Sequence, residues 1–367
     1  VAATSESLVI TFRALKEQLP QALALVAEVA TMPAFDEAEL EKLRRRELDR
    51  LELSQQDPRY LSSRAYYRAL YGAHPYGRVD TTPEALRAVT QANLVAWHRT
   101  HVVANNAYLV VVGDVTAADV RRRANSAFGR WRRGTVPEVS YPAPPTRTER
   151  EIIIVDREGS SQTQIRVGNL AIARGNDDWV PLQVANQVLG GSASSRLFMD
   201  LRERRSLTYG AYSFVEERQQ VGAFTVGAAV RTEVTAQAME ALLEHLVAIS
   251  SVAPEEAETD LARRYLSDSF PLSIDTPGKV AGLVSDLRGY GLPDDYWESF
   301  RTRIRSVTPE QSLAAARAHV HPSQMVVVLV GEASQIAEPM RAYGAVTITN
   351  TAGEVVRRLP ATGRPAR

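Results

Sequence analysis

The sequence predicts a fold that mixes α-helices and β-strands in two duplicated halves joined by a linker. Short landmarks recur at a constant separation of 218 residues: His-Val at 101 and 319, and Val-Thr at 89 and 307. Helix-periodic and strand-like stretches occur in both halves. Residues 132–150 contain four prolines and little apolar periodicity, which is typical of an interdomain linker.

The first half, residues 1–131, reads mostly as helix. An apolar stripe predicts a helix over 17–30. Asp36 followed three positions later by Glu39 predicts the start of a second helix, which extends to Asp57. Further helices are predicted up to Tyr71, over 83–100 and over 117–131, with strands over 8–14 and 107–112, the latter buried.

The second half, residues 151–367, contains more strands. Strands are predicted over 151–156, 162–170, 208–217, 221–231 and 325–330, and helices over 178–189, 194–204, 235–250, 255–270, 276–289 and 308–318. Residue 1 falls opposite about residue 220 in the repeat. We therefore expect that the first half lacks the counterpart of about 70 residues of the second half.

Composition excludes several classes of function. The formal net charge of +0 provides no electrostatic footprint for a nucleic acid or an anionic membrane surface. The chain has no cysteine, which excludes disulfides and thiolate chemistry. No apolar run reaches the ~18 residues of a membrane span. The compartment stays open between bacterial cytoplasm and periplasm.

The histidines do not predict a metal site in this chain. His98 and His101 lie three positions apart on a predicted helix, but no third ligand accompanies them at convincing spacing. The inverted motif H-x-x-E-H and the motif H-E-x-x-H are both absent from the sequence.

The stretch from 189 to 214 carries the candidate chemistry. Gly190 and Gly191 predict a tight turn, after which Ser192 or Ser194 could cap a short helix. Arg202 ends that helix and Tyr209 begins the next strand. A guanidinium and a phenol on two rigid elements could hold a carbonyl oxygen or an oxyanion. The alternative is that Arg202 is a solvated helix-end cation and Tyr209 a core residue.

The pattern LGG-x-x-x-SRL-x-x-x-LRE-x-x-x-LTYG, which begins at Leu189, resembles the pitrilysin-like metallopeptidases with an inverted zinc motif, including the mitochondrial processing peptidases. The resemblance extends to HPYG at 74–77, the VVVGD and VVVLVGE segments, and VTPE at 307–310. It implies an α+β fold in which each half is a mainly antiparallel sheet flanked by helices, the two halves forming a clam-like unit.

The resemblance also implies roles for the candidate residues. In this family the second half supplies an Arg and a Tyr, seven positions apart, that hold the substrate and its tetrahedral intermediate, and Arg202 and Tyr209 match them. Gly190 and Gly191 would keep the chain thin beside the substrate. The glutamates of the helix after residue 36 lack the seven-residue spacing of the zinc-binding helix, and Arg50 stands near the expected ligand position.

The chain is thus similar to the zinc-less subunit of bacterial two-subunit members. The implied partners are a peptide and a homologous zinc-bearing subunit, so the zinc cofactor would belong to that partner and none to this chain. Two alternatives stay open. The chain could be a structural assembly subunit with an idle Arg/Tyr pair, or a complete zinc peptidase whose metal motif lies outside the given sequence.

Overall fold

The computed structural model describes residues 1–362, which contain fourteen α-helices and nine β-strands. The strands are β1 Ala2–Ala3, β2 Leu8–Val9, β3 Glu151–Asp156, β4 Gln162–Leu170, β5 Thr208–Val215, β6 Ala223–Arg231, β7 Val326–Gly331, β8 Val346–Thr349 and β9 Val355–Leu359. The helices are α1 Leu19–Thr31, α2 Glu37–Ser54, α3 Pro58–Tyr71, α4 Pro83–Ala88, α5 Gln91–His101, α6 Ala117–Phe128, α7 Trp179–Leu189, α8 Arg196–Phe198, α9 Thr235–Ser251, α10 Glu256–Ser269, α11 Pro277–Gly289, α12 Tyr296–Ser306, α13 Pro309–His319 and α14 Ala333–Met340.

Seven strands form one mixed sheet in the order β5-β6-β4-β7-β3-β8-β9. Strand β3 pairs parallel with β7 and β8, and the other neighbours are antiparallel. The longest ladder joins β4 and β6, from Gln162 opposite Arg231 to Leu170 opposite Ala223. The α+β class and the mainly antiparallel sheet are therefore confirmed for the second half.

Central strand β7 is buried on both faces, as its uninterrupted apolar sequence VVVLVG requires. Val327 and Leu329 belong to the large core, to which helices α7, α9, α13 and α14 also contribute. Val326, Val328 and Val330 belong to a second cluster on the opposite face, with Leu61, Leu70 and the tyrosines of α3. The side-chain alternation of a strand thus divides this segment between two cores.

The chain divides into two compact units, and one of the divisions between them, at Tyr141 and Pro142, lies within the predicted linker at 132–150. One unit comprises residues 1–52, 81–141 and 271–288, and the other comprises 53–80, 142–270 and 289–367. At the repeat separation of 218 residues, α3 corresponds to α11. The unit formed mainly by the first half of the sequence therefore contains α11, and the unit formed mainly by the second half contains α3.

The helix bounds repeat as the duplication predicts. Helices α5 and α13 have the same length and lie 218 residues apart. Both begin with a capping box, in which Thr90 and Thr308 accept a hydrogen bond from the backbone N–H three residues ahead. Because Thr90 begins a new helix, the single helix predicted over 83–100 is wrong, and α4 and α5 replace it.

The first unit has much less strand than the sequence predicts. Within residues 1–362, its only strand pair is β1 with β2, and no strand is assigned to 107–112. Tyr108 and Leu109 are exposed, so the buried strand predicted there is wrong. A strand needs a neighbour to complete its hydrogen-bond ladder, and the described residues provide none for this segment. The sheet that the resemblance implies for the first half is thus not formed in residues 1–362.

Local signals account for other boundaries. Asp36 accepts the backbone N–H of Glu39 at 3.0 Å, which confirms the predicted start of α2. Helices α12 and α14 and strands β8 and β9 were not predicted. Strand β9 lies at a sheet edge and is mostly exposed, so it lacks the apolar alternation of a covered strand.

A cluster of polar groups holds α3 against the β5–β6 hairpin. The Tyr67 hydroxyl donates to Glu216, and the Tyr71 hydroxyl donates to the carbonyl of Val221 at 3.0 Å. Arg218 Nε lies 3.5 Å from the second carboxylate oxygen of Glu216. Burial raises the pKa of the Glu216 carboxyl, and the opposing effects of Tyr67 and Arg218 do not cancel it.

We expect Glu216 to make the unfolding free energy fall as pH rises. A raised folded-state pKa means that the native protein binds this proton more tightly than the unfolded chain does, so its stabilising contribution is present below the ordinary glutamate pKa and is lost as pH rises through the folded-state value. Glu216→Gln removes the titrating carboxyl and with it this pH-dependent contribution to the unfolding free energy. Urea unfolding of both proteins from about pH 4 to pH 8 should show wild-type stability declining relative to the variant.

Glu338→Gln, which changes an exposed carboxylate paired with Arg341, is the matched control for loss of one surface charge. Parallel stability curves for wild type and Glu216→Gln would contradict the assignment.

Candidate functional site

The residues between α7 and β5 form a compact corner at one edge of the sheet. Gly190 caps the C-terminal end of helix α7, and its N–H donates to the carbonyl of Asn186 at 2.8 Å. A turn, the short helix α8 and a π-helix over Met199–Arg204 then lead into edge strand β5. The corner therefore places the π-helix and the start of β5 next to each other in the chain.

Gly190 is required by the close approach of α7 to β5. A Cβ atom there would lie 2.5 Å from the backbone N of Ser213 and 2.8 Å from Cδ1 of Leu197. The N–H of Ser213 donates to the carbonyl of Gly190 at 2.9 Å, which fixes this approach. At Gly191 a Cβ atom would collide with Gln187. Both glycines have a clear packing role, and their contact with a substrate stays a prediction.

The predicted serine cap of the following helix is wrong. Ser195 occupies the N-cap position of α8 and makes no side-chain capping bond. Its hydroxyl instead donates to the carbonyl of Ser192, while the hydroxyls of Ser192 and Ser194 lie 3.1 Å apart. These serines stabilise the turn through local hydrogen bonds. Arg196 anchors α8 by a two-bond ion pair with Glu258, at 2.8 and 2.6 Å.

The helix that carries Arg202 is a π-helix, which the sequence pattern did not predict. The N–H of Arg205 donates to the carbonyl of Asp200 at 2.9 Å, and that of Leu207 donates to Leu201 at 2.8 Å. Ser206 closes the turn with a φ of 52°. Single π turns insert an extra residue into a helix and are frequent at functional sites. Here Arg202 lies within the wider turn, so the direction of its side chain differs from that in a regular α-helix.

Asp200 anchors this π-helix to α9. Its carboxylate lies 3.0 Å from Nε2 of His245 and 3.1 Å from Nε of Arg205. Burial opposes ionisation of Asp200, but the hydrogen bond to His245 and the charge of Arg205 outweigh it and hold the pKa below its usual range. Arg205 also pairs with Glu244 of α9 at 3.3 Å. No sequence spacing signals this network, because it joins residues about 45 positions apart.

Arg202 is accessible but not loose. Its side chain is 46% exposed. The guanidinium carbon lies 4.8 Å from the centre of the Phe198 ring, and Nε lies 3.4 Å from Glu203. The stacking contact restrains the guanidinium while leaving much of it open to a ligand. In contrast, Arg205 is held by two carboxylates.

Tyr209 is not a core residue, so that alternative is wrong: its exposed fraction is 87%. It lies in a β-bulge of β5, where the pairing register with β6 shifts between Thr208 and Ala211. The Thr208 hydroxyl supports the bulge by donating to the carbonyl of Ala229 at 2.6 Å and accepting the N–H of Gly210 at 3.2 Å. Bulges re-aim side chains and are common beside active sites. The phenol therefore projects from a well-braced position on the edge strand.

The candidate histidines have protein partners. His98 Nε2 lies 2.8 Å from the carbonyl of Ala30, and His101 Nδ1 lies 2.9 Å from that of Trp97. Arg50 pairs with Glu47 at 2.7 Å. Within residues 1–362, no group of three or more His, Cys, Asp or Glu side chains could hold a metal ion. In the same range, no helix has the length and apolar character needed to span a membrane.

We expect Gly190→Ala to destabilise the protein by about 1–3 kcal/mol, because the added methyl group must displace the β5 backbone or Leu197. Gly227→Ala in β6 is the matched control, since the nearest heavy atom to its Cβ would be 3.8 Å away. Chemical unfolding should distinguish the two variants. Equal stability of both would show that α7 and β5 tolerate separation.

Comparisons with known proteins agree with the fold and the motif. The family model described as "Peptidase M16 inactive domain" matches residues 88–266. An uncharacterized zinc protease of Mycobacterium tuberculosis is 29% identical over 311 residues, covering 83% of this chain and 70% of the relative. A Helicobacter pylori protein named "Non-peptidase homolog YmxG" is 22% identical over 331 residues, covering 89% of this chain and 76% of the relative.

Among solved structures, the chain is similar to a peptidase M16 inactive domain from Pseudomonas fluorescens, with a TM-score of 0.80 and 28% identity. That match covers 86% of this chain and 76% of the Pseudomonas chain. Fold, motif and sequence similarity thus confirm the predicted resemblance. Residues 88–266 match the model of the peptidase M16 inactive domain, and the chain is similar to M16 proteins over most of its length.

Proposed function

We propose that this chain is the non-zinc subunit of a heterodimeric zinc endopeptidase. In this proposal it presents Arg202 and Tyr209 to the peptide, and a homologous subunit provides the metal site. The observation that carries the proposal is the 87% exposure of Tyr209 on a braced bulge of the edge strand. A large aromatic side chain exposed this fully, yet fixed at its backbone, is suited to contact a ligand.

The division of chemistry follows from the residues in this chain. The partner's zinc, when bound, would activate the attacking water. Arg202 would donate hydrogen bonds to a carbonyl oxygen of the bound peptide, as a fixed cation suited to that task. Tyr209 would donate its phenol proton in a hydrogen bond to the oxygen that gains negative charge in the transition state.

The support beneath these two residues favours a catalytic role. Stabilising a transition state requires donors that are held in place before the reaction. The π-helix under Arg202 is anchored through Asp200 to His245, and the bulge under Tyr209 is braced through Thr208. Solvated surface side chains have no need of this support.

The edge position of β5 suits an extended peptide. An extended segment can add to an exposed sheet edge through backbone hydrogen bonds, which recognises main chain more than side chains. Gly190 already accepts the N–H of Ser213 near the far end of β5. We therefore expect the peptide to use the bulged end of the strand, beside Tyr209.

A structural or assembly subunit is the second candidate. It is favoured by the similarity to the Helicobacter pylori relative, which is named a non-peptidase homolog. In that role the Arg/Tyr pair would be inherited without being used. Peptide hydrolysis by this chain mixed with its zinc-bearing homologue distinguishes the two candidates, because an assembly subunit would not increase turnover. Stoichiometric zinc in the full-length chain alone would contradict both.

Tyr209→Phe should lower turnover by the mixed complex at least about tenfold, on the scale of losing an oxyanion donor. The substitution removes only the phenol oxygen from a side chain with no role in the core. Tyr212→Phe makes the same change at another exposed position of β5 and should have little effect. Steady-state hydrolysis of a fluorogenic peptide measures both variants. Unchanged turnover of Tyr209→Phe would remove its catalytic role.

Arg202→Gln should lower kcat/KM of the mixed complex at least about tenfold, because it removes a charge-assisted donor. Arg204→Gln is the matched control, an exposed arginine of the same π-helix. Both variants should retain wild-type thermal stability. If the two variants lose activity equally, the loss reflects the removal of any positive charge from the π-helix, and the specific role proposed for Arg202 is contradicted.

A further inference from the structure

A buried arginine on the helix-covered side of the sheet has no place in the function proposed above. Arg174 lies in the loop between β4 and α7, and its side chain is 2% exposed. Its guanidinium carbon lies 4.8 Å from the Trp179 ring centre and 4.9 Å from that of Tyr296. The Trp297 ring lies 5.6 Å away. The cation is therefore enclosed mainly by aromatic rings, which stabilise it only in part.

The hydrogen bonds of Arg174 are incomplete. Nη1 donates to the Tyr296 hydroxyl at 2.8 Å. Nε is buried and makes no hydrogen bond, although a carboxylate oxygen of Glu217 lies 3.3 Å away. Glu217 is 51% exposed, so it is not a buried counterion fixed in position. A buried donor without an acceptor costs free energy, and an anion that reached it would recover that cost.

A cleft of about 140 Å³ opens beside Arg174 and Glu217. Its remaining walls are mainly apolar and include Val180, Leu266 and Phe300. The volume is close to that of cavities of about 150 Å³ that hold a benzene ring. The first turn of α7 also borders the cleft, and the positive end of a helix favours an anion.

We propose that this cleft binds a carboxylate attached to a small apolar group. The carboxylate would displace Glu217 from Arg174 and accept the hydrogen bond of Nε. The apolar group, the size of a phenyl ring or a leucine side chain, would occupy the space beside Phe300. Such a ligand is either the free C-terminal residue of a peptide or a small organic acid. The site is independent of Arg202 and Tyr209.

The direct test compares phenylacetate with phenylacetamide by calorimetric titration or NMR titration of the full chain. The two compounds have nearly the same shape, but only the first carries a charge. We expect phenylacetate to bind saturably and at least about tenfold more tightly than the amide, on the scale of a hydrogen bond to a charged group. Equal binding of the two, or no binding of either, would overturn the proposal without requiring any variant to fold.

Two variants locate the binding. Glu217→Gln removes the competing carboxylate and should tighten phenylacetate binding about threefold or more. Glu298→Gln removes a similar charge from helix α12, outside the cleft, and should not. Leu266→Trp fills the cleft from its partly exposed wall and should abolish binding. Unchanged affinity in Leu266→Trp would place the ligand elsewhere and overturn the assignment.

Short peptides distinguish the two sources of the carboxylate. Acetylated dipeptides ending in leucine are compared as free acids and as amides, beside phenylacetate. Tighter binding of the free-acid peptide than of phenylacetate identifies a chain end as the occupant. Weaker binding of the peptide identifies a small organic acid. Turnover by the Tyr209→Phe complex is measured separately, so a failure of either proposal leaves the other open to its own test.

Discussion

The second compact unit depends on a strand that must be covered on both faces. Strand β7 has no polar position, so an uncovered face would expose a row of valines. One face is covered by helices from the same half of the sequence, and the other by α3. Tyr66 and Tyr71 from α3 are fully buried there, and burial raises their hydroxyl pKa values. The valines and tyrosines together hold residues 53–80 in this unit.

This two-sided burial leaves the edge of the sheet available for function. With β7 at its centre, the sheet ends at β5 on one side and at β9 on the other. Strand β5 is joined to the core through Ala211, Ser213 and Val215, while alternate side chains remain exposed. The bulge at Tyr209 breaks that alternation at the start of the strand, where the chain arrives from the π-helix. A rigid sheet thus supports an edge whose side chains are free to meet another molecule.

Local sequence signals predicted most elements of the sheet-bearing half because its strands and helices have strong patterns. The apolar run of β7 and the helix predicted over 308–318 are examples. The strand expected over 107–112 failed because strand formation needs a partner as well as an apolar sequence. The π-helix was missed because neither its backbone bonds nor the contact of Asp200 with His245, 45 positions away, follows from a local sequence pattern. Residue type, spacing and the resemblance of the surrounding motif selected Arg202 and Tyr209, whereas their exposure and bracing required the structure.

The reciprocal placement of α3 and α11 bears on how the chain arose. Each compact unit incorporates the equivalent helix of the other repeat, which is the outcome expected when two identical ancestral molecules exchange an element and their genes later fuse. Neither repeat could then be a self-sufficient module. The ancestral protein would have been a symmetric swapped dimer, and fusion would have joined its two copies in one polypeptide.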